Sequence, residues 1–332
     1  NAPKLNFIWG GIKENSIGLI FGPSKSGKTT FCENLAMSLA VGRDEFMGNK
    51  LDGKAKRVLF LGLEEFYLNR AERNIKQLNS LSDDEISMLD ENFLFQSTSF
   101  PRQIKVSEEW DKLKSIITES NAEIIFIDSI TRLNSGKLED SKDAEKLIQK
   151  LRNLSQDLGV TIICIHHTPK LYDNEITLDS IKGSSVFAQE TDFAIAIGRT
   201  SKNRRYLKYV FYRYASDDFD LVTEINMDEN SWFYYMQELE ESKLISGVQV
   251  IKNASIKDCI VEYVNDSNKT YSSSQIISYV TNATGLQKRQ VQTHLSDLVK
   301  RNEVKSLKKG VYVSVDYIIK NENENGDERD SI

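Results

Sequence analysis

The 332-residue chain has three cysteines, Cys32, Cys164 and Cys259, far apart and with no C-x-x-C pair. That spacing excludes a disulfide framework and a thiolate metal site, and reads as reduced thiols of a cytoplasmic protein. Only three histidines occur, two of them adjacent at His166-His167. A zinc site needs more ligands than these, at other spacings. No apolar run approaches the ~20 residues of a membrane span, and the N-terminus lacks a leader pattern. No membrane association is expected. The chain starts Asn1-Ala2 without an initiator Met, which points to processing or a cloning remnant. Basic charge is also scarce overall, with a formal net charge of −6. This argues against a protein that coats nucleic acid over its whole surface. The balance is uneven along the chain. Lys252–Val313 holds ten Lys/Arg against five Asp/Glu, a net +5 that leaves −11 for the rest. A local excess of this kind points to a nucleic-acid module.

What the sequence does contain is an ordinary globular composition, 39% hydrophobic and 28% charged, and one strong motif. Gly22-Pro23-Ser24-Lys25-Ser26-Gly27-Lys28-Thr29-Thr30 reads G-x-x-x-x-G-K-T, a phosphate loop. The apolar, β-prone stretch Ser16–Phe21 precedes it, and Phe31–Ala40 follows with apolar residues at helical spacing. Gly22 and Gly27 permit backbone angles that a Cβ would block. The loop N–H groups can then nest phosphate oxygens at a helix N-terminus. Lys28 supplies a cation to the β- and γ-phosphates, and Thr29 a hydroxyl to Mg²⁺. ATP and Mg²⁺ are the expected cofactors.

Further apolar runs at Arg57–Leu63, Glu123–Asp128 and Val160–Ile165 predict buried strands. They alternate with helical patterns over 66–91, Val106–Ser120 and Asp140–Leu158. Continuously apolar strands between helices predict an α/β fold with a mostly parallel sheet covered on both faces. Phe193–Ile197, Arg205–Tyr214 and Phe219–Ile225 extend it, the last two as a hairpin. Ligands of such sheets gather at strand carboxyl ends. The phosphate loop, Glu64, Asp128 and His166-His167 all fall there. Asp128 follows four apolar residues, as a carboxylate holding the Mg²⁺ shell would. Glu64 is placed to deprotonate the attacking water, with Glu65 as competitor. One of His166 and His167 is placed to bond the γ-phosphate. Arg213 ends an apolar, aromatic strand, where it could reach a neighbour's γ-phosphate; Arg199 and Arg205 are weaker candidates for that task. Trp9 reads as core, or as a cover on the nucleotide.

The C-terminal part predicts three helices, Ser255–Asn265, Ser272–Val280 and Gln287–Arg301, then a hairpin around Lys308-Lys309-Gly310. That order is a winged helix-turn-helix. Gln287, Lys288, Arg289 and Gln292 on the third helix, with Lys308 and Lys309 on the wing, are residue types that contact DNA. Protein docking is the alternative use. The expected domains are 1–245 and 250–318, followed by a polar tail over 319–332 expected to be disordered.

Together, Gly22–Thr29, Glu64, Ile124–Asp128, His166-His167-Thr168-Pro169-Lys170 and Gly183-Ser184-Ser185…Asp192 resemble the RecA-like P-loop NTPases of the RepA/DnaB/RadA/KaiC group. The chain is most similar to RepA-like hexameric helicases of plasmids and mobile elements. The resemblance covers about residues 5–226. It implies nucleotide binding at Gly22–Thr30, water activation by Glu64, Mg²⁺ at Asp128 and γ-phosphate sensing by His167. It also implies a homo-oligomer, a hexameric ring with single-stranded DNA in its channel, near which Gly183–Ser185 would fall. DnaB-like members carry Lys-x-Arg on the strand of Arg213; here the Lys position is Phe211. Three functions stay open: an ATP-driven replicative motor, an ATP-switched DNA-binding regulator, and a RadA-like recombination mediator.

Overall fold

A computed structural model describes residues 5–133, 136, 140–169, 171, 174–181, 186–216, 219–246, 253–265, 269–284, 288–315 and 317. Lys170, Gly183–Ser185, Gln287 and the 319–332 tail lie outside the described residues. The chain divides into two compact units, Asn1–Ile245 and Ser246–Ile332.

The first unit begins with a small hairpin, β1 (Phe7–Trp9) and β2 (Ile12–Lys13). The phosphate-loop strand β3 (Ile17–Gly22) and helix α1 (Lys28–Ala40) follow. A second hairpin, β4 (Glu45–Phe46) and β5 (Asn49–Lys50), interrupts the polar link to β6 (Val58–Gly62). Next come α2 (Tyr67–Leu78), α3 (Asp83–Asn92), β7 (Phe93–Phe95), α4 (Ser107–Ser120) and β8 (Ile124–Asp128). The remainder is α5 (Ser141–Leu158), β9 (Thr161–His167), α6 (Val186–Glu190), β10 (Phe193–Arg199), β11 (Arg205–Tyr212), β12 (Val222–Met227), β13 (Phe233–Leu239) and α7 (Glu241–Ser246).

Nine strands form one sheet in the order β13-β12-β11-β10-β3-β9-β8-β6-β7. From β10 to β7 the pairs are parallel; β11, β12 and β13 add on antiparallel. Every residue of β3 and β8 is buried, which is why these strands, up to the terminal Asp128 of β8, carry unbroken apolar runs rather than alternating. α1 covers one face through Phe31, Leu35 and Leu39, together with Ile20, Phe60 and Phe126. α4 and α5 cover the other through Leu113, Ile117, Leu147 and Leu151. Trp9 is core: it is fully buried and its Nε1–H donates to the Phe46 carbonyl at 2.8 Å.

Two details differ from the sequence expectation. The helical stretch 66–91 is two helices, because Ser82 starts α3 with a capping box to Glu85. The strand β13 has no counterpart among the expected strands. Tyr234, Tyr235 and Met236 are all exposed on this edge strand, so it lacks the alternation that marks a half-buried strand.

The second unit runs α8 (Asn253–Tyr263), β14 (Tyr271–Ser272), α9 (Ser273–Thr284), α10 (Lys288–Lys300), β15 (Lys305–Lys308) and β16 (Val311–Val313). Its sheet order is β14-β16-β15. Its own core gathers Ile260, Ile276, Val280, Val291, Leu295, Leu298 and Val304. Ser272 caps α9: its hydroxyl accepts from the Gln275 N–H while the Gln275 side chain accepts from the Ser272 N–H. Cys32 and Cys164 are buried in the first unit; Cys259 in the second is partly exposed.

Candidate active site

The loop between β3 and α1 has the backbone its glycines predict. Gly22 has φ +154°, and a Cβ there would lie 2.2 Å from the Ile197 carbonyl oxygen. Gly27 has φ +99° and abuts the Phe233 ring. Lys25 also has a positive φ. Helix α1 has no side-chain cap and no acidic residue in its first turn, so its leading N–H groups are left for another acceptor. The Ser26 hydroxyl is buried without a hydrogen-bond partner among the described residues. Lys28 bends back onto the loop, its Nζ donating to the Pro23 carbonyl at 2.8 Å. Burial lowers its ammonium to a pKa of about 8. Free donors, an uncapped helix and a desolvated cation together make an anion cradle.

Two carboxylates meet this cradle. The Thr29 hydroxyl donates to Asp128 Oδ2 at 2.6 Å. Asp128 is only 5% exposed, and burial raises its pKa. A hydroxyl beside a desolvated carboxylate is a hard-oxygen donor set that suits Mg²⁺. Glu64 stands just past β6. Its Oε2 faces His167 Nε2 at 3.4 Å, and its Oε1 accepts from Ser129 and from Thr131, the latter at 3.0 Å. These bonds, led by His167, pull the Glu64 carboxyl down to about 2. Arg132 Nε lies 3.6 Å away.

Glu65, the competitor, is otherwise engaged. Arg73 clamps it with two bonds of 2.9 and 2.6 Å and also binds the buried Glu33. Sequence reading missed Arg73, Ser129 and Thr131; the position of Ser129 directly after Asp128 was the only available signal. His166 is buried, with its ring stacked on Phe187. Arg213 is tied within its own chain: Nη2 donates to the carbonyls of Gln189 and Thr191, and Nε lies 3.6 Å from Asp192. Arg199 donates to the Lys25 carbonyl, and Arg205 lies against Gly27. In the second unit, Lys288, Arg289 and Gln292 on α10 are exposed, as are Lys308 and Lys309 at the β15–β16 turn.

Residues 2–173, more than half of the chain, match the AAA domain family. The chain belongs to the AAA domain family. It is an ATPase with a RecA-like P-loop fold. A solved structure of an ATPase domain superposes on this AAA domain protein with a TM-score of 0.52 at 16% identity, covering 68% of this chain and 86% of that one. A KaiC-like protein from Pyrococcus horikoshii OT3 gives a TM-score of 0.48 at 17% identity, covering 69% of this chain and 92% of its own. The first of these likenesses speaks to the fold. No curated protein matches the sequence. Among the described residues, no helix is long and apolar enough to cross a membrane.

Proposed function

We propose that this AAA domain protein is a DNA-associated ATPase motor of the RepA-like type, cytoplasmic and assembled as a hexameric ring on single-stranded DNA. The observation that carries the chemistry is the meeting of the Thr29–Asp128 and Glu64–His167 pairs beside the phosphate loop. Gly22, Pro23, Ser24, Lys25, Ser26, Gly27 and Thr30 cradle the ATP phosphates, and Lys28 turns from Pro23 to them. Thr29 and Asp128 hold Mg²⁺, which when bound neutralises charge on the phosphate oxygens. Glu64 takes the proton of the attacking water. Held by His167, Ser129 and Thr131, it is a weak base. A triphosphate that draws the His167 hydrogen bond to its terminal oxygens restores the basicity of Glu64. Hydrolysis is thereby tied to the presence of the γ-phosphate.

The second unit fits the order of a winged helix, with α9 and α10 as the helix-turn-helix and β15–β16 as the wing. Gln287, Lys288, Arg289, Gln292, Lys308 and Lys309 are its DNA-contacting set. The reading is tested by ATPase turnover with and without single-stranded DNA, and by strand displacement. Stimulated turnover with displacement supports a motor. Slow, unstimulated turnover with ATP-dependent duplex binding supports a switched regulator instead. That second reading is favoured by Phe211 in place of a Lys, and by the engagement of Arg213 with its own chain.

A further inference from the structure

On sequence alone, Arg199 and Arg205 are candidates only for reaching a neighbouring subunit. Their placement argues for another role. Ile195, Ile197 and Leu207 lie on the α1 face of the sheet, in the core that holds Phe31. Side chains alternate along a strand, so Arg199 and Arg205 continue that face to the sheet edge that carries the phosphate loop. The two are direct cross-strand partners in the β10–β11 pair. Like charges directly opposite destabilise a ladder, and nothing acidic relieves them among the described residues. Arg199 bonds only neutral acceptors there, the Lys25 carbonyl at 2.9 Å and Asn203 Oδ1 at 2.8 Å. The Nε–H of Arg205 is buried without a hydrogen-bond partner, and Arg205 makes no ion pair among the described residues. Its Nε lies 3.8 Å from where a Cβ on Gly27 would stand. The neighbouring Arg204 is paired by Glu224, so the sequence supplies a carboxylate to one of these adjacent arginines and withholds it from the other. The Arg205 guanidinium is depressed by burial and by the charge of Arg199.

An uncompensated cation pair beside a phosphate cradle is completed by an anion. We propose that Arg205 binds the phosphate chain of the nucleotide held by its own chain, while Arg199 braces the loop through the Lys25 carbonyl. This rests on Gly22–Thr30 being the ATP site.

The test compares the wild-type chain with Arg205→Gln and Arg205→Lys, in titrations with Mg·ATP and with inorganic tripolyphosphate and in thermal melts. Arg205→Gln should weaken both ligands about tenfold or more, the loss of one charge-assisted bond. Arg205→Lys should recover most of that loss. Without nucleotide, Arg205→Gln should melt no lower than wild type, because a repulsion is removed, and its ATP-induced rise in melting temperature should shrink. Unchanged ATP affinity in Arg205→Gln overturns the assignment. So does a lower melting temperature with an intact ATP shift, which marks a structural arginine. Intact binding with lost hydrolysis that returns on mixing with Lys28→Ala chains would assign Arg205 to the neighbour's site instead. A wild-type chain that binds neither ligand sinks the ATP-site reading itself, which the variants alone cannot do.

Discussion

At the scale of single residues, two adjacent glutamates at one strand end have different partners. Glu64 is held by His167, Ser129 and Thr131, whereas Glu65 is locked by Arg73. Glu64→Gln should therefore bind ATP and lose turnover by a factor of about 10² or more. Glu65→Gln should keep most of its turnover; the reverse pattern in steady-state assays would reassign the base. The hydrogen bonds on Glu64 also give a pH signature. Folding lowers the Glu64 pKa from 4.5 to about 2. The anion's contribution is full above pH 4.5 and is lost as pH falls through the folded value. The difference in melting temperature between wild type and Glu64→Gln should be constant above about pH 5, shrink below that, and close only as pH drops through about 2. After allowance for screening of a partly exposed carboxylate, the contribution is about 1–2 kcal/mol. A gap that widens on acidification would contradict this hydrogen-bonding pattern.

At the scale of elements, the hairpin β1–β2 is clasped to α1 through Trp9. Its ring packs against Phe31, Phe46 and Tyr209 at centroid distances of 5.8 to 6.1 Å. Trp9→Ala should cost about 3–5 kcal/mol, read as a lower urea midpoint for the first unit. A cost below about 1 kcal/mol would place Trp9 outside the core's energetics. The parallel strands β3, β6, β8 and β9 were readable because burial on both faces demands unbroken apolar runs, as in Ile124–Ile127. The carboxyl-end cluster followed from them, since strand order fixes which ends share an edge. The partners of Glu64 and Glu65 were not readable. Thr131 and Arg73 reach the site by tertiary approach, with no local pattern to announce them, and Ser129 was signalled only by its place directly after Asp128. Arg213 carried a strand-end signal, but its bonds to Gln189 and Thr191 are made across 22 to 24 residues of chain, which spacing alone does not reveal. The strand β13 stayed hidden because an edge strand exposed on both faces has no hydrophobic period.

At the scale of the whole molecule, positive charge is concentrated in one stretch of the second unit, Lys252–Val313, which carries a net +5 against −11 for the rest of the chain. Lys288→Ala combined with Arg289→Ala should weaken duplex DNA binding evenly across sequences. The slope of log affinity against log salt should fall by up to about 2, one for each phosphate no longer neutralised. Unchanged affinity would turn the second unit toward protein docking. The thiols divide in the same way. Burial raises Cys32 well above its ordinary value and pushes Cys164 up to about 12, so neither offers a thiolate to a reagent in the native fold. Cys259, partly exposed on α8, should take up one equivalent of maleimide while the other two wait for unfolding, as counted by intact mass. The wild-type chain thus comes with a single built-in attachment point on the second unit. A dye placed there could follow that unit through each round of ATP turnover without any cysteine having to be engineered in or out.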